Sequence, residues 1–285
     1  ALMKLQEEGK LDLNAKLSEL VPEVKIENPW EGTQPVRLVH LLEHSAGFDD
    51  MQLNEVYNLS DAVDISLREV FARFPRPQRV RWLPGTRQAY SNPGYALAGY
   101  VVEKVTGRRF EDYVKEEILT PLGMVKSNFW LTAETRELLA QGYSGKPPRP
   151  ATYRHIYLRP AGDLKASPAE LALLVQMLLN RGRVGGVQLI KPESLARMEH
   201  PETSSAARAG LKNGYGLAIY AALDRPSKTL GHSGGLEGFL STYRYLPQHG
   251  LGYVVLINSG ASGKPLEELE KLLFDYVTAG LPTPQ

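Results

Sequence analysis

The sequence predicts a mixed α/β fold of the α+β kind: an antiparallel sheet flanked by helices, with an inserted helical lobe. Three observations predict it. Residues 36–125 carry apolar side chains at helical spacing between caps and glycine stops. Beyond Gly214 the period changes to two, in the runs YGLAIYAAL, TLGHSGG, FLSTYRYLP and LGYVVLIN, which read as a meander of strands. A last helix from Pro265 to about Val277 carries Leu266, Leu269, Leu272, Leu273 and Tyr276 along one side, and so can cover a face of that sheet.

Taken in order, ALMKLQEEGKLDL opens directly on an amphipathic helix that ends near Gly9 and has no cap before it. It reads as a helix cut in its middle, with any leader lying upstream. Leu13 to Trp30 is loop, punctuated by Pro22 and Pro29, and Val36 to Phe48 is a short helix stopped by Gly47. Ser66-x-x-Glu69 forms a capping box that opens a helix toward Phe74, ended by Pro75 and Pro77. The next helix has Asn92 as its N-cap, Pro93 at the first position and Gly107 as its stop. Its buried face is Leu97, Val101, Val102 and Val105, with Tyr95 and Ala98 beside them. A shorter helix runs from Phe110 to Ile118. The Pro-, Tyr- and Arg-rich stretch Pro147–Pro160 is expected to be a long surface loop that walls a cleft. Ser167-x-x-Glu170 is a second capping box, opening Ala169–Asn180, and Pro247–Gly250 is a tight turn between the last two strands. One domain is expected over residues 1–285, with the helical lobe at about 36–180 and the sheet with its last helix at about 210–280.

Composition narrows the chemistry. A chain of 285 residues, 42% of them hydrophobic, can bury a substantial core. Its 33 basic side chains nearly cancel its 32 acidic ones, so there is no general electrostatic case for nucleic acid or an anionic membrane as partner. The absence of cysteine rules out disulfides, thiolate metal sites and a cysteine nucleophile. The apolar run Leu171–Leu179 is too short for a transmembrane segment. No glycine-rich phosphate loop, dinucleotide fingerprint or internal repeat is present, and no cofactor is called for. His40 and His44 share a helix turn with Glu43, but HLLEH lacks the H-E-x-x-H order and a third ligand, so these histidines read as packed or capping and no metal is assigned.

Two stretches carry candidate chemistry. Tyr90-Ser91-Asn92 stands at a helix N-terminus, where the helix can hold Tyr90 and Asn92 at the edge of a cleft. Gly231-His232-Ser233-Gly234-Gly235 matches the G-x-S-x-G nucleophile elbow, but an elbow needs a helix after it and an acid then a histidine downstream. Here a strand follows, and the only later histidine is His249 in a predicted turn. The stretch reads instead as the end of an inner strand, with glycines that let backbone approach closely and with the Gly235 N–H available as an oxyanion donor.

Together with EEGKLDL, LLEHSAGF, PGTRQAYSNPGYALAG, PLGM, PAGDLKASPAELA, GHSGGLEGF and a final NSG, these stretches resemble the serine β-lactamase and penicillin-binding-protein superfamily. The likeness is to its class C β-lactamase-related, family VIII esterase-like branch, and the blocks fall in that family's order along almost the whole chain. The resemblance implies a β-lactamase/transpeptidase-like fold, a serine acyl-enzyme, and small-molecule or peptide substrates. It makes Tyr90 and Asn92 the Tyr-x-Asn motif and sets His232-Ser233-Gly234 where many relatives have Lys-Thr-Gly. It also implies that His232, Ser233 and Gly234 meet substrate and that Gly235 completes an oxyanion hole. Relatives are often exported. The family's Ser-x-x-Lys is absent, since no serine in these residues is followed three positions later by lysine. The resemblance places that motif upstream of Ala1, so the domain is expected to be N-terminally incomplete. An esterase or D-amino-acid peptidase is favoured over a strong β-lactamase because His232 replaces lysine. The competing reading is a catalytically inactive module of the same fold that binds a peptide or acyl group.

Overall fold

The computed structural model describes residues 1–223, 227–260 and 262–280. The meander is present as four antiparallel strands, Tyr220–Ala222 (β1), Thr229–Leu236 (β2), Phe239–Leu246 (β3) and Leu251–Ile257 (β4). They lie in the spatial order β4-β3-β2-β1. The turn between β3 and β4 closes through His249 N–H to Leu246 O at 3.0 Å, with Gly250 at φ +65°. The strand expected from Tyr215 is only three residues long, because Ala218 takes a left-handed φ of +65° and folds 215–219 back on itself.

Alternation of side chains gives the sheet two different faces. Leu230, Tyr245 and Val254 pack with Val175 and Leu178 of the helix Pro168–Leu179, while Leu246, Tyr253 and Val255 pack with Leu266 and Phe274 of the helix Lys264–Val277. The second of these helices corrects an expectation. Leu269, Leu272 and Tyr276 point outward, Tyr276 at 79% exposure, and the covering stripe is Leu266 and Phe274 with Leu273 and Val277 partly buried. Periodicity reveals that an apolar stripe exists, but this helix carries two, and only docking decides which one turns inward.

A separate core fills the helical part, around the helix Asn92–Thr106 with Leu38, Leu41, Leu67, Val70 and Phe71. This helix has Leu97, Val101 and Val102 fully buried and ends at Gly107 with φ +68°. Gly99 lets it touch the next segment, since a Cβ there would lie 2.5 Å from Pro160. Val36–Phe48 is less helical than its periodicity implies. Only Leu38–Leu42 is helix, and the chain then turns through His44 at φ +54°. Pro147–Pro160 also departs from a surface loop. His155–Ile156 pairs with Tyr57–Asn58, and Ile156, Tyr157 and Leu158 are buried, Tyr157 and Leu158 packing into the core of the helical part, with Arg159 buried against Glu111 at 2.5 Å. The Ser66–Glu69 box closes as expected, whereas at Ser167 only half of it forms: Ser167 Oγ accepts Glu170 N–H at 3.2 Å, while the Glu170 carboxylate accepts from Lys126 N–H and Ser127 Oγ–H.

Candidate active site

Tyr90 is half-exposed and faces the sheet, with its ring centre 6.3 Å from that of His232 on β2. Two stretches 142 residues apart in sequence thus meet. Asn92 is not the N-cap. Ser91 takes that role, its Oγ accepting Gly94 N–H at 3.2 Å. The reason is a carboxylate that local sequence does not reveal: Asp50 accepts from Asn92 N–H at 3.1 Å and from Asn92 Nδ2 at 2.9 Å, drawing that side chain out of capping geometry. Burial, the Asp50 charge and Tyr220 raise the Tyr90 phenol above its ordinary value, so it is protonated at neutral pH.

His232 has both nitrogens engaged. Nδ1 lies 2.6 Å from Ser233 O, which can only accept, so Nδ1 carries the proton. Nε2 then accepts from the Tyr215 hydroxyl at 2.7 Å. Burial, with the Arg244 charge, lowers this imidazole below its usual range, so the ring is neutral at pH 7.

Ser233 pairs in register with Thr242, and His232 with Tyr243, so the two side chains leave opposite faces of the sheet. The Ser233 hydroxyl sits with Tyr220 Oη at 3.0 Å, Thr242 Oγ1 at 3.3 Å and Arg244 Nη2 at 3.3 Å, on the face that Glu270 reaches from the last helix. It lies mid-strand, and a hairpin to β3 follows it, which is not the strand–helix geometry of a nucleophile elbow.

Gly231 is required by packing, because a Cβ there would fall 2.0 Å from Tyr243 O. Gly234 and Gly235 keep the end of β2 slim. Beyond Gly231, β2 has no strand partner on the β1 side among the described residues, which leaves 232–236 as an open edge beside Tyr90.

Three residues that sequence reading passed over join the site: Asp50, Tyr215 and His44. His44, expected only to pack or cap, is 98% buried with its ring centre 4.2 Å from that of Tyr90. Nothing in the local pattern marks any of the three, since each contact is tertiary. Among the described residues no group of three His, Cys, Asp or Glu side chains could hold a metal ion, and no helix is long and apolar enough to cross a membrane.

A sheet whose inner strand faces a Tyr-x-Asn turn at a helix N-terminus sets the chain in the class of β-lactamase/transpeptidase-like folds. A beta-lactamase family model matches residues 1–278, and the chain belongs to that family, whose members are serine hydrolases. It is similar to Protein flp of Staphylococcus aureus (strain N315), at 25% identity over 270 residues, covering 93% of this chain and 51% of the relative. The chain thus spans about half the length of that curated relative. The octameric penicillin-binding protein homologue from Pyrococcus abyssi superposes with a TM-score of 0.74 at 28% identity, over 96% of this chain and 63% of that one. A beta-lactamase/D-alanine carboxypeptidase from Yersinia pestis shares the fold, with a TM-score of 0.75 at 19% identity over 97% of this chain and 80% of that one.

Proposed function

We propose that this chain carries the acid–base and substrate-orienting half of a serine acyl-transfer site that hydrolyses esters or amides, with D-amino-acid peptides and simple esters ahead of β-lactams. The observation that carries the reading is the approach of the Tyr90 ring to that of His232 on β2, at 6.3 Å. The nucleophile in this scheme is the serine of a Ser-x-x-Lys motif that residues 1–285 do not contain. Its lysine also supplies what Tyr90 lacks. The phenol is held above its normal range by burial and then by the Asp50 charge, and a neighbouring ammonium favours the phenolate at about 1.36 kcal/mol per pKa unit.

With that cation beside it, Tyr90 takes the serine proton as the hydroxyl attacks the carbonyl and returns it to the leaving group; water then repeats the sequence on the acyl-enzyme. The Gly235 N–H, with that of the serine, stabilises the oxyanion, a donor typically worth ~10²–10³ in rate. The edge at Ser233 and Gly234 lets an extended substrate lie along β2, with His232 lining its carboxylate or carbonyl side. Asn92, anchored by Asp50, orients the substrate amide and the lysine.

A second reading is a binding module of the same fold without turnover. The natural protein with Tyr90→Phe separates the two. Loss of general acid–base help predicts an ester kcat lower by ~10²–10⁴ with KM nearly unchanged. Ester turnover equal to wild type removes Tyr90 from the chemistry, and an inert wild type that still binds acyl-D-alanine peptides leaves the binding module.

A further inference from the structure

We infer that His44 is the positioning residue for Tyr90, gripping the chain on both sides of it and backing its ring. The inference rests on the acid–base role given to Tyr90 above, but its geometry stands apart from that role. The His44 carbonyl accepts Ala89 N–H at 2.8 Å, and His44 Nδ1 accepts Ser91 N–H at 3.1 Å. Residues 89 and 91 are therefore both tied to one histidine, and Tyr90 between them lies over its imidazole at 4.2 Å. Tyr95 at 4.9 Å and Tyr215 at 4.5 Å close on the same ring, and Tyr215 in turn donates to His232. One side chain thus links Tyr90, through Tyr215, to His232.

The grip has a backbone cost that its neighbours hold in place. His44 has φ +54°, a left-handed conformation that residues with a Cβ adopt at a penalty. Glu43 before it is buried and accepts from Glu202 N, Thr203 N, Thr203 Oγ1 and Arg197 Nη2, and Ser45 after it meets Thr203 Oγ1 at 2.6 Å. Arg197–Thr203 therefore fixes the turn that aims the imidazole. Because Nδ1 accepts, the ring proton is on Nε2, which is buried without a partner among the described residues. A leucine would fill the space without that desolvation cost, but it could not hold Ser91.

The test separates the two tasks of the ring in the natural protein. His44→Asn keeps an acceptor near Ser91 and tolerates left-handed backbone but removes the ring, whereas His44→Phe keeps a ring and removes the acceptor. With Tyr ring carbons labelled, each variant should move the Tyr90 resonance by NMR and lower ester kcat by ~10–100-fold with KM within about twofold, the penalty of a misplaced catalytic group. A fall in melting temperature alone, with Tyr90 resonance and kcat unmoved in the folded protein, overturns the inference. If kcat proves insensitive even to Tyr90→Phe, the acid–base reading has failed and the NMR shift still decides positioning. Should both variants fail to fold, ¹⁵N shifts of wild-type His44 decide instead: Nε2–H from pH 5 to 9 supports the grip, and Nδ1–H overturns it.

Discussion

His40 and His44 are two histidines in one short turn, and burial leaves neither able to charge easily. Burial with the Arg37 charge pushes His40 down to about 4, and burial with the neighbouring His232 pushes His44 down to about 3. The unfolded chain takes up both protons near pH 6.5, and the folded chain resists them. Stability is therefore full above about pH 6.5 and falls as pH drops toward 4, by on the order of 3 kcal/mol for each ring. Urea midpoints should drop steeply between pH 7 and pH 4.5, and His40→Gln should flatten that slope. A wild-type midpoint independent of pH over this range would contradict the burial of these rings as neutral species. Asp50 teaches a related lesson. It captures Asn92 from 42 residues away, so a residue that reads locally as a helix cap serves instead as half of a tertiary hydrogen bond.

Among the elements, the helix Asn92–Thr106 follows directly on Tyr90, and its contact with Pro160 sets how closely the Pro-rich segment can approach. Gly99→Ala forces a methyl to within 2.5 Å of the Pro160 ring, so the helix or the segment must shift. Overpacking of this kind typically costs ~1–3 kcal/mol, which denaturant unfolding would show as a lower midpoint with an unchanged slope. An unchanged midpoint would mean that the segment yields freely. Much of this element was legible in the sequence, because Pro93 and Gly107 are local signals with local causes. The same holds for the Ser66 box and the Pro247–Gly250 turn. The exposed Leu269, Leu272 and Tyr276 were not legible as such, since a helix with apolar residues on two sides does not say which side docks. Nor was the inward path of Ile156 to Arg159, whose composition is that of a loop and whose partners, Phe74 for Tyr157 and Glu111 for Arg159, lie far back in the sequence.

At the scale of the molecule, the order of blocks along the chain carried more than any single block. Tyr-x-Asn and HSGG are each weak alone, but one starts a helix and the other lies on an inner strand, and the structure brings their Tyr90 and His232 rings within 6.3 Å. What the order could not convey is how the halves are joined. That is done by His44, Tyr215 and Asp50, side chains whose contacts exist only once both parts have folded. The face on which Ser233 emerges was likewise a matter of register, fixed by its pairing with Thr242.

The measurement that bears most directly on the central claim is the site of covalent modification by a fluorophosphonate in the natural protein, mapped by peptide mass. A single adduct on the serine of a Ser-x-x-Lys motif outside residues 1–285, slowed by Tyr90→Phe, is the predicted result. An adduct on Ser233 would contradict it, for it would require the hydroxyl now held by Tyr220, Thr242 and Arg244 to act from the opposite face of the sheet.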